Sequence, residues 1–348
     1  QFKDYAEWEQ SDENRKKLKK QEKYWLKKLS GELPILDLPT DNPRPPVLTY
    51  NGRDEVLKLN PNVTRRINEY CRKTDSTLFA FMLAAFNVFL CKLTNQTDII
   101  IGVPTANRDY PELENVIGVL VNNLAIRNKV ETDKNFEILL SQIKRGIIEG
   151  MENNDYSIDH LIEKLNPERD TSRSPLFSVV CQAYDQYRGK KLKFKDIIVE
   201  RQRINADATT ADLRFFVLTK NNQITLNFNY NTDLFNPETI KCWMNNMVAL
   251  AENILNNPQK KISQLELISE KEKKELIALN NSKPNYPQNK TIHKLFEEQV
   301  QKTPNNIATV FEGEKLTYKE LNQKANQLAH YLIKQKIKKE EIVSIILD

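Results

Sequence analysis

The chain has 348 residues, with 52 lysines and arginines against 47 aspartates and glutamates, for a formal charge of +5. Its 39% hydrophobic and 28% charged residues can bury a sizeable core, which excludes wholesale disorder, and the length suits two folding units or one large one. Only eight glycines occur, and no two have the spacing of a G-x-G-x-x-G or P-loop cradle, so glycine-rich phosphate sites are excluded.

In chain order, the first readable element is a basic helix from Glu13 to Leu29. Its lysines surround one apolar stripe of Leu18, Trp25 and Leu29. With so small a net charge and no aromatic interleaving, this reads as a solvated surface helix, and no nucleic-acid partner is expected. Pro34, Pro39, Pro43, Pro45 and Pro46 then forbid regular structure between Leu33 and Pro46, leaving an extended crossing segment. Asp75-Ser76-Thr77 supplies cap chemistry for an apolar helix from Leu78 to Leu93. That stretch is too short for a comfortable membrane span and Asn87 interrupts it, so it reads as a buried core helix, with no membrane partner. Ile99-Ile100-Ile101 follows as a β-branched strand, which predicts a sheet covered on both faces.

Phe136, Leu139, Leu140, Ile143, Ile147 and Met151 form one helical stripe, and Ile240, Trp243, Met244, Met247, Ala251 and Ile254 form another, opened by Asn236 as cap and Pro237. Between them, Leu213 to Thr219 and Ile224 to Tyr230 alternate as a β-hairpin. His160 reads as a partly buried histidine on a short helix from Ser157 to Leu165. Past a charged helix at Glu270 to Leu279, the polar, proline-punctuated run Asn280 to Asn289 is the best domain boundary. Beyond it, Thr291 caps a helix, Thr317-Tyr318-Lys319-Glu320 is a capping box opening another, and Ile342 to Leu347 reads as a buried strand. The four cysteines, Cys71, Cys91, Cys181 and Cys242, fit neither a disulfide framework nor a C-x-x-C motif, so a reducing cytoplasm is the expected compartment. No H-E-x-x-H or similar cluster points to a metal.

Short motifs recur in one order along the chain. They are Asp4-Tyr5-Ala6-Glu7-Trp8; Tyr24-Trp25 with Leu36 to Asp41 and Pro43-Arg44-Pro45; Ile101-Gly102-Val103-Pro104 with Ala106-Asn107-Arg108; Ile117 to Asn123; Arg169 to Leu176; Tyr230 to Phe235; and finally Phe296 to Gln299, Thr303-Pro304 and Leu316 to Leu321. In that order the chain resembles a nonribosomal peptide synthetase, running from the C-terminal half of a condensation domain into the start of an adenylation domain. The resemblance implies an α/β fold, a chloramphenicol-acetyltransferase-like lobe with mixed sheet and covering helices, followed by the beginning of an adenylate-forming α/β domain. It divides the chain into residues 1–269 of condensation domain, a short helix and linker at 270–290, and a truncated adenylation start at 291–348.

The implied reaction joins two carrier-bound groups: the amine of a downstream aminoacyl thioester attacks the thioester carbonyl of an upstream donor. That needs a neutral, aimed amine, a stabilised oxyanion and exclusion of water. The family places this work on a His-His-x-x-x-Asp-Gly loop, whereas the three histidines here, His160, His293 and His330, are isolated. No catalytic residue is therefore expected in this chain. Its opening at Gln1 and its stop after the Ile342 run read as the cut ends of a longer polypeptide, with the catalytic half upstream and the fragment inert by itself. Arg108, Arg173 and Asp170 are the implied lobe-interface residues, and Asn122 and Asn123 the implied channel wall; Asp170 and Ser172 equally suit a structural turn before Pro175. Implied partners are the upstream and downstream peptidyl carrier domains with their phosphopantetheine, the N-terminal condensation lobe, and the rest of the adenylation domain, where ATP and magnesium would bind. Two other readings stay open: a noncatalytic scaffold lobe, and a stand-alone acyltransferase of the same fold. Leu120, Asn123 and the run Asn153 to Asp159 depart from the family pattern, the last by losing a proline at Ser157.

Overall fold

The computed structural model describes residues 1–185, 207–268, 270–280, 289–338 and 341–346, and its chain divides into two compact units, 1–276 and 277–348. The first holds α1 (Phe2–Glu9), α2 (Asp12–Lys28), β1 (Gly52–Lys58), α3 (Pro61–Lys73), α4 (Leu78–Thr94), β2 (Asp98–Thr105), β3 (Asn122–Lys129), α5 (Phe136–Glu152), α6 (Ile158–Leu165), β4 (Val179–Asp185), β5 (Leu213–Lys220), β6 (Gln223–Asn231) and α7 (Pro237–Asn256). Helix α8 (Glu270–Asn280) spans the division, and the second unit holds α9 (Ile292–Lys302), β7 (Ile307–Phe311), β8 (Glu314–Thr317) and α10 (Tyr318–Lys334).

Helix α4 starts at Thr77, whose hydroxyl accepts the Ala80 N–H, and ends at Asn95 in the left-handed conformation at φ 57°. Every residue from Ala80 to Cys91 is buried, so α4 has no solvent face and must be wrapped. Helices α3, α5 and α7 pack around it, against one face of a six-stranded sheet of order β1-β6-β5-β4-β2-β3. Strands β2–β4 and β4–β5 pair in parallel and the other neighbours antiparallel, which is the mixed sheet the sequence led us to expect. Phe86, Phe89, Phe215, Phe228 and Trp243 form the aromatic centre, with ring centroids 5.0 to 6.4 Å apart. Each such side chain contributes roughly 1.5–3 kcal/mol on burial. Asn87, the polar break in α4, is fully buried yet bonded: its amide donates to the Leu83 carbonyl at 2.8 Å, and its oxygen accepts from Asn128 of β3 at 3.3 Å.

The hairpin β5–β6 turns through Asn221 and Asn222, both left-handed, as a two-residue loop of this twist requires. Helix α7 begins at Pro237 as read, but the Asn236 side chain makes no cap. Asp41 of the proline crossing supplies it instead, accepting the Asn236 N–H at 2.7 Å and the Thr239 hydroxyl at 2.8 Å. A remote carboxylate in an unstructured segment carries no spacing signal for such a role. Full burial on both faces holds for the middle of β2, where the Phe177 ring lies over Gly102, but not for β5, where Arg214, Phe216 and Leu218 are only half-buried. In α5, Met151 is exposed rather than part of the core stripe; Gly146 and Gly150 are buried instead, and a Cβ at Gly150 would lie 3.0 Å from Ile126 and 3.2 Å from Leu124 of β3. His160 is exposed on α6 rather than partly buried, its ring centroid 6.2 Å from that of Tyr156.

In the second unit, the capping box at Thr317 and Glu320 forms as expected. None of its helices or strands contains a buried residue. Residues Ile342 to Ile346 are exposed and pair with no strand among the described residues, so the expected buried strand is not seen there; Leu347 lies outside the described residues. Most of the boundary run Asn280 to Asn289 likewise lies outside the described residues.

Gly52, at the start of β1, runs against the backbone of Ala208: a Cβ there would lie 2.3 Å from the Ala208 carbonyl carbon and 2.5 Å from the Thr209 nitrogen. Gly52→Ala is expected to cost about 1–3 kcal/mol in urea unfolding, because backbone rather than a side-chain tip has to move.

Candidate functional site

The motif residues gather in two clusters. The first is centred on Asn122, at the start of β3 and opposite Thr105 of β2. Its amide donates to the carbonyls of Asn154 at 2.7 Å and Tyr156 at 3.0 Å, and its oxygen accepts the N–H groups of Asn123 at 2.9 Å and Ile158 at 3.1 Å. Asn154 is buried too: it accepts from the Thr105 hydroxyl at 2.7 Å and donates to the Asn107 side chain at 3.2 Å. Helix α2 fastens the same turn from the other side. Trp25 donates its indole N–H to the Asn153 carbonyl at 2.8 Å, Asp155 accepts from Gln21 at 2.8 Å and pairs with Lys17 at 2.7 Å, and Tyr156 donates to Glu22 at 2.8 Å. Ser157 has φ −60° and ψ 138°, the φ that proline would impose, and its hydroxyl caps α6. The turn thus keeps a proline-compatible dihedral without the proline. Asn123 pairs with Pro104 in the ladder and is half-buried.

Arg108 extends this cluster. Its guanidinium donates to the carbonyls of Leu113, Val116 and Gly118, the last two at 2.9 and 3.3 Å, winding the loop after β2 around one side chain. The loop then presents Ile117, Val119 and Val121 on alternate residues, exposed at 95, 84 and 59%. Between this loop and α1 lies a cleft of about 480 Å³ lined by Asp4, Tyr5, Trp8, Tyr110, Glu112 and Leu113. Trp8 meets Tyr110 edge-on at 5.1 Å, and Lys17 donates to the Tyr110 hydroxyl at 2.7 Å. Burial, then the Glu9 and Asp155 carboxylates, push the Tyr5 phenol up to about 12.

The second cluster holds Arg173 and Asp170. Arg173 donates to the Leu36 carbonyl at 3.1 Å and to Asp37 at 3.2 Å, and stands 3.6 Å from the Asp170 carboxylate. Asp170 accepts the Ser172 hydroxyl at 2.6 Å and the Ser172 N–H at 2.8 Å; these bonds and the nearby Arg173 hold its carboxyl below the usual range. That is the turn geometry weighed from the sequence. Sequence reasoning missed the strongest interaction here. Arg44 grips Asp212 with both guanidinium nitrogens, at 3.0 and 2.5 Å, and donates to the Ser172 carbonyl at 3.2 Å. Asp212 is 1% exposed. The only sequence signal is an arginine between prolines, and nothing in it points to a carboxylate 168 residues away.

Among the described residues no group of three or more His, Cys, Asp or Glu side chains is placed to hold a metal ion. No single described helix is long and apolar enough to cross a membrane. The His293 ring lies 3.0 Å from the Thr291 hydroxyl, and His330 is exposed.

A mixed sheet with helices wrapped on one face, carrying these ordered motifs, defines the class. The condensation-domain family matches residues 1–277, and the chain belongs to it; AMP-binding enzymes match residues 296–348, the start of a second domain. Among curated relatives, gramicidin S synthase 2 of Brevibacillus brevis is 37% identical over all of this chain and 8% of its own length. Surfactin synthase subunit 2 of Bacillus subtilis (strain 168) is 38% identical over all of this chain and 10% of its own. The chain therefore spans about a tenth of the length of the relatives it matches. Among solved structures, a four-domain nonribosomal peptide synthetase bound to AMP and glycine aligns with TM-score 0.76 and 21% identity, over 91% of this chain and 25% of that one. The condensation domain from the monacolin K polyketide synthase aligns with TM-score 0.63 and 21% identity, over 74% of this chain and 62% of that one. These neighbours establish the chloramphenicol-acetyltransferase-like fold expected from the motifs.

Two outcomes follow from these environments. Arg44→Ala leaves the Asp212 carboxylate buried without its partner, and should cost about 3–5 kcal/mol in chemical unfolding. Burial also raises the Tyr24, Tyr70 and Tyr156 phenols. For Tyr5 the folded state holds the neutral form up to about pH 12, whereas the unfolded chain ionises near 10.0. Its contribution is complete below pH 10.0 and is lost as pH rises through about 12. Urea melts across that window should show falling stability, with a shallower fall in Tyr5→Phe.

Proposed function

We propose that residues 1–269 are the C-terminal portion of a condensation domain in an elongation module of a nonribosomal peptide synthetase. Residues 270–290 are its linker and residues 291–348 open the adenylation domain. The parent forms an amide between a donor acyl or peptidyl thioester and the amine of an aminoacyl thioester, each carried on the phosphopantetheine of a peptidyl carrier domain in the cytoplasm. The reacting imidazole pair belongs to an N-terminal lobe outside this sequence, and this chain alone is inert.

One observation carries the reading: a chain matched as condensation domain over residues 1–277 contains three scattered histidines and no His-His-x-x-x-Asp-Gly. The alignment to 62% of a solved condensation domain supports a partial domain. So does the exposed row Ile117, Val119 and Val121, an apolar surface of the kind that protein partners cover. In this reading Arg108 shapes the loop carrying that row, Asn122 and Asn123 hold one wall of the reaction channel, and Asp170 and Arg173 brace the lobe against the proline crossing. Their part in catalysis is positional: they keep the wall rigid while the missing lobe handles the amine proton. ATP and magnesium belong to the adenylation domain beyond these residues. The sequence of the opening segment has no glycine cradle, and its described residues hold no carboxylate cluster, so no adenylation step is assigned to it.

The test is direct. Donor-loaded and acceptor-loaded carriers mixed with this chain should give no amide above the carrier-only background, by mass spectrometry of the released thioesters. Turnover by the chain alone would overturn the assignment. Reading the coding sequence upstream of Gln1 separates it from a scaffold lobe: the condensation reading requires His-His-x-x-x-Asp-Gly within about one small domain's length.

A further inference from the structure

Two stretches that prolines keep out of regular structure, residues 31–36 of the proline crossing and residues 167–178 before β4, border a slot of about 320 Å³. Pro34 and Leu36 line it from the first stretch, and Pro175, Leu176 and Phe177 from the second. Side-chain bonds fix both. Arg127 of β3 donates to the Ser30 and Glu32 carbonyls, each at 2.8 Å, and Gln96 donates to the Ile35 carbonyl at 2.8 Å. Arg173 ties the second stretch to the first through the Leu36 carbonyl at 3.1 Å, and the Phe177 ring is seated over Gly102. Ser178 also lines the slot. It is 6% exposed, and its hydroxyl is buried with no hydrogen-bond partner among the described residues. Its carbonyl is engaged, accepting the N–H groups of Asp212 at 3.0 Å and Leu213 at 3.4 Å, so the residue is held in place. The other buried serine among the described residues, Ser172, has a bonded hydroxyl, which donates to Asp170 at 2.6 Å. A buried hydroxyl without a partner is costly, and one that lines a cavity marks where a ligand atom would relieve the cost.

We infer that this slot is a binding site for a small neutral molecule with an apolar body and an amide head bonded to Ser178. The mostly apolar walls give water few partners, so an apolar body gains by displacing it. The head is neutral for two reasons. Every guanidinium nitrogen of Arg173 already faces an oxygen, of Leu36, Asp37 or Asp170, which leaves no free cation for a carboxylate, and Glu32 and Glu168 stand exposed on the rim to repel one. An ammonium head would lie beside that same guanidinium. A hydroxyl both donates and accepts, and an amide answers both with one carbonyl and one N–H. Because the walls are already fixed, little ordering is left for the ligand to impose.

The probe is pentanamide, compared with pentanoate and pentylammonium, which carry a charged head on a similar body. In saturation-transfer NMR on the full chain, pentanamide should bind in the millimolar range and at least about fivefold tighter than either ion. Ser178→Ala should weaken pentanamide about fivefold, the loss of one hydrogen bond, whereas Ser141→Ala on the exposed side of α5 should leave it within about twofold. Thermal melts supply a second readout: deleting an unpartnered buried hydroxyl should leave the ligand-free Ser178→Ala chain melting at or above the parent temperature. Binding of either ion as tight as that of pentanamide, unchanged pentanamide binding in Ser178→Ala, or the same loss in Ser141→Ala would overturn the inference. So would a Ser178→Ala melt about 3 °C or more below the parent, since the hydroxyl would then already be bonded within the protein or to a buried water.

Discussion

A helix with no solvent face imposes more order on this chain than any other element. Because Ala80 to Cys91 of α4 are all buried, the larger unit has to place helices on both sides of α4 and a sheet beneath it. Helices α3, α5 and α7 and the central strands are the wrapping that this demands. Apolar packing of this kind is strong but non-directional, and alone it would tolerate several rotations of the same helices.

Direction comes from a small number of buried polar groups. Asn87 joins α4 to β3, Asn122 and Asn154 tie β3 to the turn before α6, and Arg44 ties the proline crossing to the start of β5. Each is costly if left unpaired, so each permits only arrangements in which its partners are in place. These ties also link motifs far apart in sequence: the loop held by Arg108, the turn at Asn154 and the base of α2 form one continuous bonded surface. The exposed row Ile117, Val119 and Val121 stands on this bonded support.

Most elements were legible in the amino-acid order. The caps at Thr77 and Thr317, the stripes of α5 and α7, and the paired asparagines of the β5–β6 turn are local signals, complete within a few residues. The departures were of one kind. Met151 lies outside the core while Gly146 and Gly150 of the same helix are buried, Asp41 caps a helix nearly two hundred residues on, and the run Ile342 to Ile346 pairs with no strand among the described residues. None of these depends on nearby sequence alone.

The order of motifs was enough to point to the family, and the periodic apolar residues to locate most of its helices and strands, because these follow from spacing along the chain. Which polar side chains would meet, however, was decided only by the tertiary structure. The grip of Arg44 on Asp212 and the four bonds of Asn122 depend on where the folded backbone brings remote segments, and hydrogen bonds, being short and directional, are formed only once that placement is made.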